Sequence, residues 1–312
     1  MTAPLQPSVG DEYGHEKGDE PLWSESWYFD WVDAAHGIGG WIRLGLIPNE
    51  GRSWMQALLC GPDMPTIAVS DFDAPLPADP TRVVTEDFEF TQAATVPLQS
   101  YAVTVRGRGE AYDDPAALLR GEAGRPVPVT LDLVWTTHGA PYQYRITPRY
   151  EIPCTVSGSA TADGRSYSFD AVPGQRDHSW GARDWWGMEW VWSALHLDDG
   201  THLHGVDLRI PGLPPLGVGY LQTEGALTEL EAVTAREVFG DNNLPTSTEI
   251  EFRPGETVVD AQVVGHAPVL LVARDGRISH FPRAWATVTM QDGRRGVGWL
   301  EWNRNSGLGL RI

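Results

Sequence analysis

The sequence EWVWSALHLDDGTHLHGVDLR (residues 189–209) places two runs of alternating residues on either side of an Asp-Asp-Gly segment. Alternation with a period of two is typical of a β-strand with one buried face, and Asp-Gly between two such runs is a strong signal for a β-hairpin. The stretch therefore predicts a hairpin, and with it an antiparallel sheet.

The length of the turn decides which histidines share a face of this hairpin. A two-residue turn sets Leu197 opposite His202 and puts His196 on the other face. A three-residue loop sets His196 opposite His202, on the same face. In both cases His202 and His204 lie side by side, because residues two apart on a strand point the same way. The sequence leaves both registers open.

Runs of similar composition fill the rest of the chain. They are short, rich in Val, Thr, Tyr and Trp, and separated by turn signals such as Pro-Asn-Glu-Gly. In the first half they cover residues 26–34, 39–47, 53–61, 66–73, 82–90, 101–113 and 127–138. Only residues 114–123, which begin with Asp-Pro and carry Gly121 after Arg120, have the signals of a helix. The predicted fold class is all-β.

About sixteen short strands are more than one small barrel needs and enough for two. Three prolines between residues 138 and 158 interrupt regular pairing near the middle of the chain, which favours a domain boundary there. We predict a flexible N-terminal lead (1–20), an N-terminal β domain (21–145) and a C-terminal β domain (146–312).

The charge of the chain limits its partners. Its 42 acidic and 23 basic residues give a formal net charge of −19, which repels nucleic acid and anionic membrane surfaces. The sequence has neither the apolar stretch of a transmembrane helix nor the features of a signal peptide, so no stable membrane insertion is expected. We predict a cytoplasmic monomer or homodimer in which Cys60 and Cys154 are buried, reduced thiols.

The densest group of reactive side chains is Arg-Asp-His-Ser-Trp-Gly at residues 176–181. Acid–base catalysis needs one group that delivers a proton and another that accepts one. We predict Asp177 as the acid and His178 as its partner. Adjacent residues on a strand point to opposite faces, so these two share a pocket only if the backbone bends, for instance near Gly181.

Tryptophans surround this segment, and they suggest how a reactive intermediate is stabilised. An indole face stabilises a nearby carbocation by about 0.5–2 kcal/mol. Core filling is the alternative, because alternating tryptophans are also typical of an inward strand face. The tryptophans concerned are Trp180, Trp185, Trp186, Trp190 and Trp192.

The hairpin histidines raise the question of a metal. His202 and His204, with His178 or His196 as a third ligand, have a spacing that suits a metal ion. We favour a polar pocket lining, because the sequence assigns no carboxylate that orients these rings. No metal and no other cofactor is predicted.

Two segments carry a resemblance to a known family. The run WSESWYFDWVD (residues 23–33) resembles an "E-W-W-Y" strand, and residues 176–209 resemble "D-H-x-W-G" followed by "W-x-W-x-x-x-x-L-D-D-G". Both are features of the carotenoid hydratase (hydroxyneurosporene synthase) and lipocalin-like group. Kievitone-hydratase-like proteins, tocopherol cyclases and fungal Diels–Alderases are similar in the same region. Here Ser26 replaces the first Trp of "E-W-W-Y", and Trp31 is an addition.

The resemblance implies two calycin (lipocalin-like) antiparallel β-barrel domains with a hydrophobic ligand between or within them. Asp177, His178, Trp180 and Gly181 match the "D-H-x-W-G" element, and Trp27 with Tyr28 matches the aromatic pair of the first domain. Members of such a group hydrate double bonds, cyclise prenyl chains or template cycloadditions. The fold is therefore implied more firmly than the reaction.

We predict a cofactor-independent lyase or isomerase, a hydratase, dehydratase or cyclase, that acts on a hydrophobic, terpenoid-like unsaturated small molecule. The alternatives are a non-catalytic carrier or sensor of such a molecule and a metal-assisted hydrolase that uses the hairpin histidines. The predicted substrate contacts are Trp27, Tyr28, Arg176, Trp180, Trp185, Trp186, Trp190, Trp192, His196, His202 and His204.

Overall fold

The computed structural model describes residues 4–255, 257–305 and 308, and β-strands make up most of it. Within this part of the chain there are twenty-two strands, two short 3-10 helices (Val9–Glu12 and Pro48–Glu50) and one α-helical turn, Ala116–Leu119. The turn lies where the sequence predicts a helix, and Gly121 follows it with a positive φ of 68°. The all-β prediction is confirmed. No helix of the described residues is long and apolar enough to cross a membrane.

The first eleven strands form one antiparallel sheet. They are β1 (Trp23–Asp33), β2 (Ile38–Ile47), β3 (Arg52–Gly61), β4 (Met64–Pro75), β5 (Arg82–Val84), β6 (Phe88–Val96), β7 (Ser100–Tyr112), β8 (Arg125–Thr137), β9 (Tyr142–Gln143), β10 (Arg149–Ala162) and β11 (Arg165–Ala182). The order β4-β3-β2-β1-β11-β10-β8-β7 closes on itself, because β7 also pairs with β4. The sheet is ring-like without being a clean barrel, since β6, β5 and β9 attach outside the ring.

The other eleven strands form a second antiparallel sheet. They are β12 (Glu189–Leu197), β13 (His202–Arg209), β14 (Leu216–Thr223), β15 (Ala226–Glu229), β16 (Ala232–Phe239), β17 (Pro245–Arg253), β18 (Thr257–His266), β19 (Val269–Val272), β20 (Ile278–Phe281), β21 (Arg283–Met290) and β22 (Arg295–Asn305). The order is β15-β14-β13-β12-β22-β21-β18-β17-β16. Its ends approach each other, because a Cβ on Gly217 of β14 would lie 2.0 Å from the backbone nitrogen of Val233 in β16.

The hairpin of residues 189–209 forms as β12 and β13, in the register of the three-residue loop. His196 lies opposite His202, and the backbone N–H of Leu197 donates to the carbonyl of Thr201 at 2.9 Å. Gly200 closes the loop with φ at 82°, a conformation that glycine adopts without strain. The three hairpin histidines therefore share one face.

The last boundary between the two compact units lies at residues 183/184, later in the sequence than the predicted boundary at residues 145/146. The first compact unit takes the chain up to residue 59, then 67–111 and 124–183, and the second takes the intervening segments and the chain from residue 184. The difference arises because β10 and β11 pair with β8 and β1. Pro153 does not interrupt β10, and its carbonyl accepts the backbone N–H groups of His138 and Gly139.

The segment predicted as a flexible lead packs onto the first sheet. Its 3-10 helix ends at Glu12, which is only 2% exposed. The carboxylate of Glu12 accepts hydrogen bonds from Tyr150 of β10 and Arg176 of β11. These contacts join the segment to strands that lie far from it in the sequence.

Candidate active site

His178 lies at the centre of a polar cluster on one face of β11. The register places Trp27 of β1 and Tyr150 of β10 directly opposite it on the two neighbouring strands. The Trp27 ring stacks on the imidazole with centroids 4.4 Å apart, and the Tyr150 ring meets it edge-on at 5.7 Å. His178 is 1% exposed, so its polar contacts are made almost entirely within the protein.

Both ring nitrogens of His178 face hydrogen-bond acceptors. Nδ1 is 2.7 Å from the backbone carbonyl oxygen of Asp11, and Nε2 is 3.0 Å from Oε1 of Glu25. A carbonyl oxygen and an ionised carboxylate only accept, so each nitrogen needs a proton to make its bond. The contacts therefore fix the ring between the carbonyl of Asp11 and the carboxylate of Glu25.

Glu25 joins two histidines through one carboxylate. Besides His178, it accepts the backbone N–H of His15 at 3.0 Å and faces Nδ1 of the His15 ring at 2.7 Å. Burial raises the pKa of Glu25, but hydrogen bonds from His15 and His178 outweigh it, and the net pKa lies below its ordinary value of 4.5. Glu25 is therefore an anion at neutral pH that orients both rings.

His15 is the member of this cluster that reaches the surface. Its side chain is 22% exposed, and its ring stacks on Trp180 with centroids 3.7 Å apart and planes 12° from parallel. Because Nδ1 is engaged by Glu25, the other nitrogen, Nε2, is available for proton exchange, and it lies 3.7 Å from the Asp11 carboxylate. A carboxylate that holds one nitrogen of a histidine and leaves the other toward a substrate is the arrangement of hydrolase triads.

The pairing of Glu25 predicts a specific pH dependence of stability. A carboxyl group whose pKa falls on folding stabilises the protein while it is ionised, and this contribution is lost as the pH falls through the folded-state pKa. We expect the wild-type protein to be more stable than Glu25→Gln above pH 4.5, and the difference to shrink on further acidification. Urea unfolding of both proteins above and below pH 4.5 measures this difference in the free energy of unfolding. A difference that grows below pH 4.5 would contradict the pairing.

The side chains of His15, Glu25 and His178 are also a candidate metal site. Among the described residues they form the set whose possible ligand atoms lie within 4.8 Å of one another. Two ligands of one tetrahedral zinc ion, each about 2.0–2.1 Å from it, lie about 3.3 Å apart. The Glu25 oxygen is closer to both histidines, at 2.7 and 3.0 Å. The side chains are spaced for hydrogen bonds and lie closer together than the ligands of a tetrahedral zinc ion.

Arg176 continues the cluster along the same face of β11. It is 2% exposed, and its Nη1 donates to Oε1 of Glu12 at 2.6 Å. Its guanidinium carbon lies 5.3 Å from the ring centroid of Tyr101, within the range of a cation–π contact. Tyr150 donates its hydroxyl to the same Glu12 oxygen. The N-terminal segment therefore supplies Asp11, Glu12 and His15 to one site.

Asp177 points to the opposite face of β11. Its carboxylate accepts from Nη2 of Arg149 at 2.7 Å, and Arg149 also donates to Glu151 at 2.7 Å. The backbone stays extended through both predicted catalytic residues, and the positive φ of Gly181, 107°, comes only after them. Asp177 and His178 therefore do not share a pocket, and Asp177 belongs to a buried ion-pair network.

Asp177→Asn is expected to lower stability more than turnover. The substitution removes one of the two carboxylates that compensate Arg149, while Glu151 remains, so a loss of about 1–3 kcal/mol in the free energy of unfolding is expected. Denaturant unfolding measures this loss, with Asp163→Asn, which removes a partly exposed partner of Arg125, as the control. A hundredfold loss of turnover with unchanged stability would instead support the predicted role of Asp177 as the catalytic acid.

The remaining predicted tryptophans belong to the second unit. Trp185 and Trp190 pack with Phe281 at centroid distances of 5.5–5.6 Å. Trp190 donates its indole N–H to Glu301 at 2.7 Å, and Trp186 donates to the carbonyl of Leu271 at 3.4 Å. These rings are at most 8% exposed. Trp186 and Trp190 are therefore buried residues with satisfied indole donors.

The three hairpin histidines are also in the second unit. His196 and His202 face each other through their Nδ1 atoms at 2.9 Å, so one donates and the other accepts. Nδ1 of His204 donates to the carbonyl of Ser193 at 2.9 Å, and its ring lies 5.5 Å from Trp192. The described contacts join these histidines to polar neighbours within the unit.

The structure thus brings together four of the predicted site residues, namely Trp27, Arg176, His178 and Trp180. Tyr28 lies on the other face of β1, with its ring 6.3 Å from that of Trp41. The residues that sequence reasoning missed are Asp11, Glu12, His15, Glu25, Tyr101 and Tyr150. Only Glu25 carried a signal, because it is the Glu of the "E-W-W-Y" resemblance.

Comparisons with solved structures show the fold. A protein designated AttH from Nitrosomonas europaea has a TM-score of 0.64 at 17% identity, over 96% of this chain and 98% of that one. CghA has a TM-score of 0.58 at 11% identity, over 92% and 89% of the two chains. Kievitone hydratase from Nectria haematococca has a TM-score of 0.58 at 11% identity, over 92% and 90%.

These neighbours share the fold of this chain, one of them is a hydratase, and none of them is a carotenoid hydratase. No curated protein matches the sequence. A family model described as "Domain of unknown function (DUF7064)" matches residues 8–306. The match begins within the N-terminal segment that supplies Glu12 and His15.

Proposed function

The chain belongs to the DUF7064 family, and we propose that it is a cofactor-independent lyase or isomerase acting on an unsaturated hydrophobic small molecule. The observation that carries the proposal is the hydrogen-bonded series His15–Glu25–His178, in which one carboxylate orients two imidazoles. The fold shared with kievitone hydratase supports a reaction of this class.

His15 is the general acid–base in this proposal. Its Nε2 takes a proton from a substrate carbon and returns it to the far end of the allylic system, so that one C–H bond breaks, another forms and the double bond moves. In the hydration variant, Nε2 takes a proton from water as the C–O bond forms and delivers a proton to the other alkene carbon. A positioned histidine contributes about a hundredfold to ten-thousandfold to such a step.

The other members of the cluster position His15 and stabilise charge. Glu25 holds Nδ1 of His15 and stabilises the imidazolium that forms when Nε2 is protonated. His178 anchors Glu25 from the other side. Trp180, stacked on His15, presents its aromatic face to the imidazolium that forms when Nε2 is protonated, and such a contact stabilises the positive charge by about 0.5–2 kcal/mol.

Deuterium incorporation tests the proposal on a panel of isoprenoid compounds. The protein is incubated in D₂O with farnesol, geranylacetone and farnesoic acid, and the extracts are examined by mass spectrometry. Because His15 exchanges its proton with solvent, isomerisation should leave a deuterium in the product, and hydration should add one D₂O. Ligands that bind but return unchanged and unlabelled would favour a carrier over an enzyme.

A further inference from the structure

Arg176 has hydrogen-bonding capacity that the protein does not use. Within the described residues its Nε and Nη2 atoms have no hydrogen-bond partner, although the side chain is 2% exposed. Among the described residues its ion pair runs from Nη1 to Glu12, which leaves the Nε and Nη2 edge of the guanidinium without an oxygen acceptor. Buried donors in native proteins are nearly always paired, so the open edge indicates a missing acceptor.

The two open nitrogens form a recognisable binding element. Nε–H and Nη2–H lie side by side on one edge of the planar guanidinium, where together they hold an oxygen acceptor. Tyr101 lies against the guanidinium at 5.3 Å, and His178 lies two residues away on the same strand face. The edge therefore belongs to the same cluster as the proposed acid–base centre.

We propose that this edge of Arg176 binds a carbonyl oxygen of the substrate, so that the substrate is a neutral, hydrophobic, unsaturated ketone or aldehyde. The inference rests on the proposed function, because it takes the substrate to lie in this cluster. Glu12 already balances the charge of Arg176 at 2.6 Å. A carboxylate ligand would add a second buried anion beside Glu12, whereas a carbonyl satisfies the open donors without added charge.

The one weak partner near this edge of Arg176 among the described residues is the thiol of Cys154. The Cys154 thiol interacts with Arg176 through a side-chain hydrogen bond that lowers the pKa of the thiol, but burial outweighs it and raises that pKa to about 12, so the thiol is neutral at physiological pH. A neutral thiol is a weak acceptor, and it does not replace an oxygen.

The test compares three isoprenoid probes that differ in their polar end: geranylacetone, farnesoic acid and the hydrocarbon farnesene. Binding to the full chain is followed by quenching of tryptophan fluorescence. The ketone should bind about tenfold to a hundredfold more tightly than the hydrocarbon, as expected for hydrogen bonds from a charged donor. Equal affinity for ketone and hydrocarbon would overturn the carbonyl subsite, and tightest binding of the acid would replace it with a carboxylate subsite.

Substitutions of Arg176 test whether this side chain causes the preference for the ketone over the hydrocarbon. Arg176→Lys keeps the charge but lacks the two-donor edge, and the ketone preference should fall to within about threefold. The double variant Glu12→Met/Arg176→Met removes the ion pair as a whole and should behave likewise. Arg209→Met, which alters an arginine that bridges Asp207 and Glu237, serves as the control and should keep the preference.

The two proposals fail in different ways. Deuterium incorporation in a protein that shows no ketone preference would overturn the carbonyl subsite and leave the acid–base function intact. A ketone preference that depends on Arg176, in a protein that returns every probe unlabelled, would leave the subsite intact and contradict the enzyme. A preference that survives both Arg176 variants would overturn the assignment to this side chain.

Discussion

His15→Gln is expected to lower turnover by at least about a hundredfold, the usual scale of general acid–base catalysis. Glutamine can still donate a hydrogen bond to Glu25, but its amide does not exchange a proton with a substrate near neutral pH. Ligand affinity should change by less than about threefold, because the stacking surface beside Trp180 remains. The measurement is the initial rate on the substrate identified by deuterium labelling, with ligand affinity measured in parallel.

The chain offers a matched control for this variant. His36 also pairs with a carboxylate, its Nδ1 lying 2.6 Å from Oδ2 of Asp33, but it lies outside the His178 cluster. His36→Gln removes the same kind of interaction and should leave turnover unchanged. Full activity in His15→Gln would exclude His15 as the acid–base group, and an equal loss in His36→Gln would indicate a non-specific effect.

The second large effect concerns stability. Glu12→Ala should lower the free energy of unfolding by about 3–5 kcal/mol, because it leaves the charge of Arg176 buried without its partner. Tyr150 also loses the acceptor of its hydroxyl. Denaturant unfolding measures the loss, and the double variant Glu12→Met/Arg176→Met should recover most of it, since a buried pair replaced by apolar side chains costs little.

Glu16→Ala is the control for this experiment, because Glu16 is an exposed residue of the same N-terminal segment. A surface substitution of this kind changes stability by about 0.5 kcal/mol or less. If Glu12→Ala were as mild as Glu16→Ala, the N-terminal segment would not contribute to the stability of the first sheet.

The fold was largely predictable from local patterns. Period-two alternation and turn residues are local signals, and they predicted the all-β class and the hairpin of β12 and β13. The domain boundary was not predictable, because it depends on which strands pair. β11 pairs with β1, although most of the sequence of the first unit lies between these two strands. Proline gave a misleading signal, since Pro153 is accommodated within β10.

The candidate site was predictable only in part. The alternation rule placed Asp177 and His178 on opposite faces, and an extended β11 keeps them there. His15 and Glu12 had no local signal, because a polar segment without periodicity does not reveal a tertiary contact with strands far along the chain. Trp190 was predicted as a substrate contact from its aromatic context, and nothing in the sequence indicated the hydrogen bond from its indole N–H to Glu301.

The closure of the first sheet by β11 has a consequence for the order of folding. Trp23 of β1 pairs with Ala182 of β11, so β1 cannot complete its pairing until the nascent chain is long enough to supply that strand. At about 5–20 residues per second, the wait is roughly ten to thirty seconds. During it, the apolar edge around Trp27 and Trp31 is without its partner, and such edges promote aggregation. The His15–Glu25–His178 cluster is therefore a late product of folding, and the yield of folded protein depends on protecting this edge during synthesis.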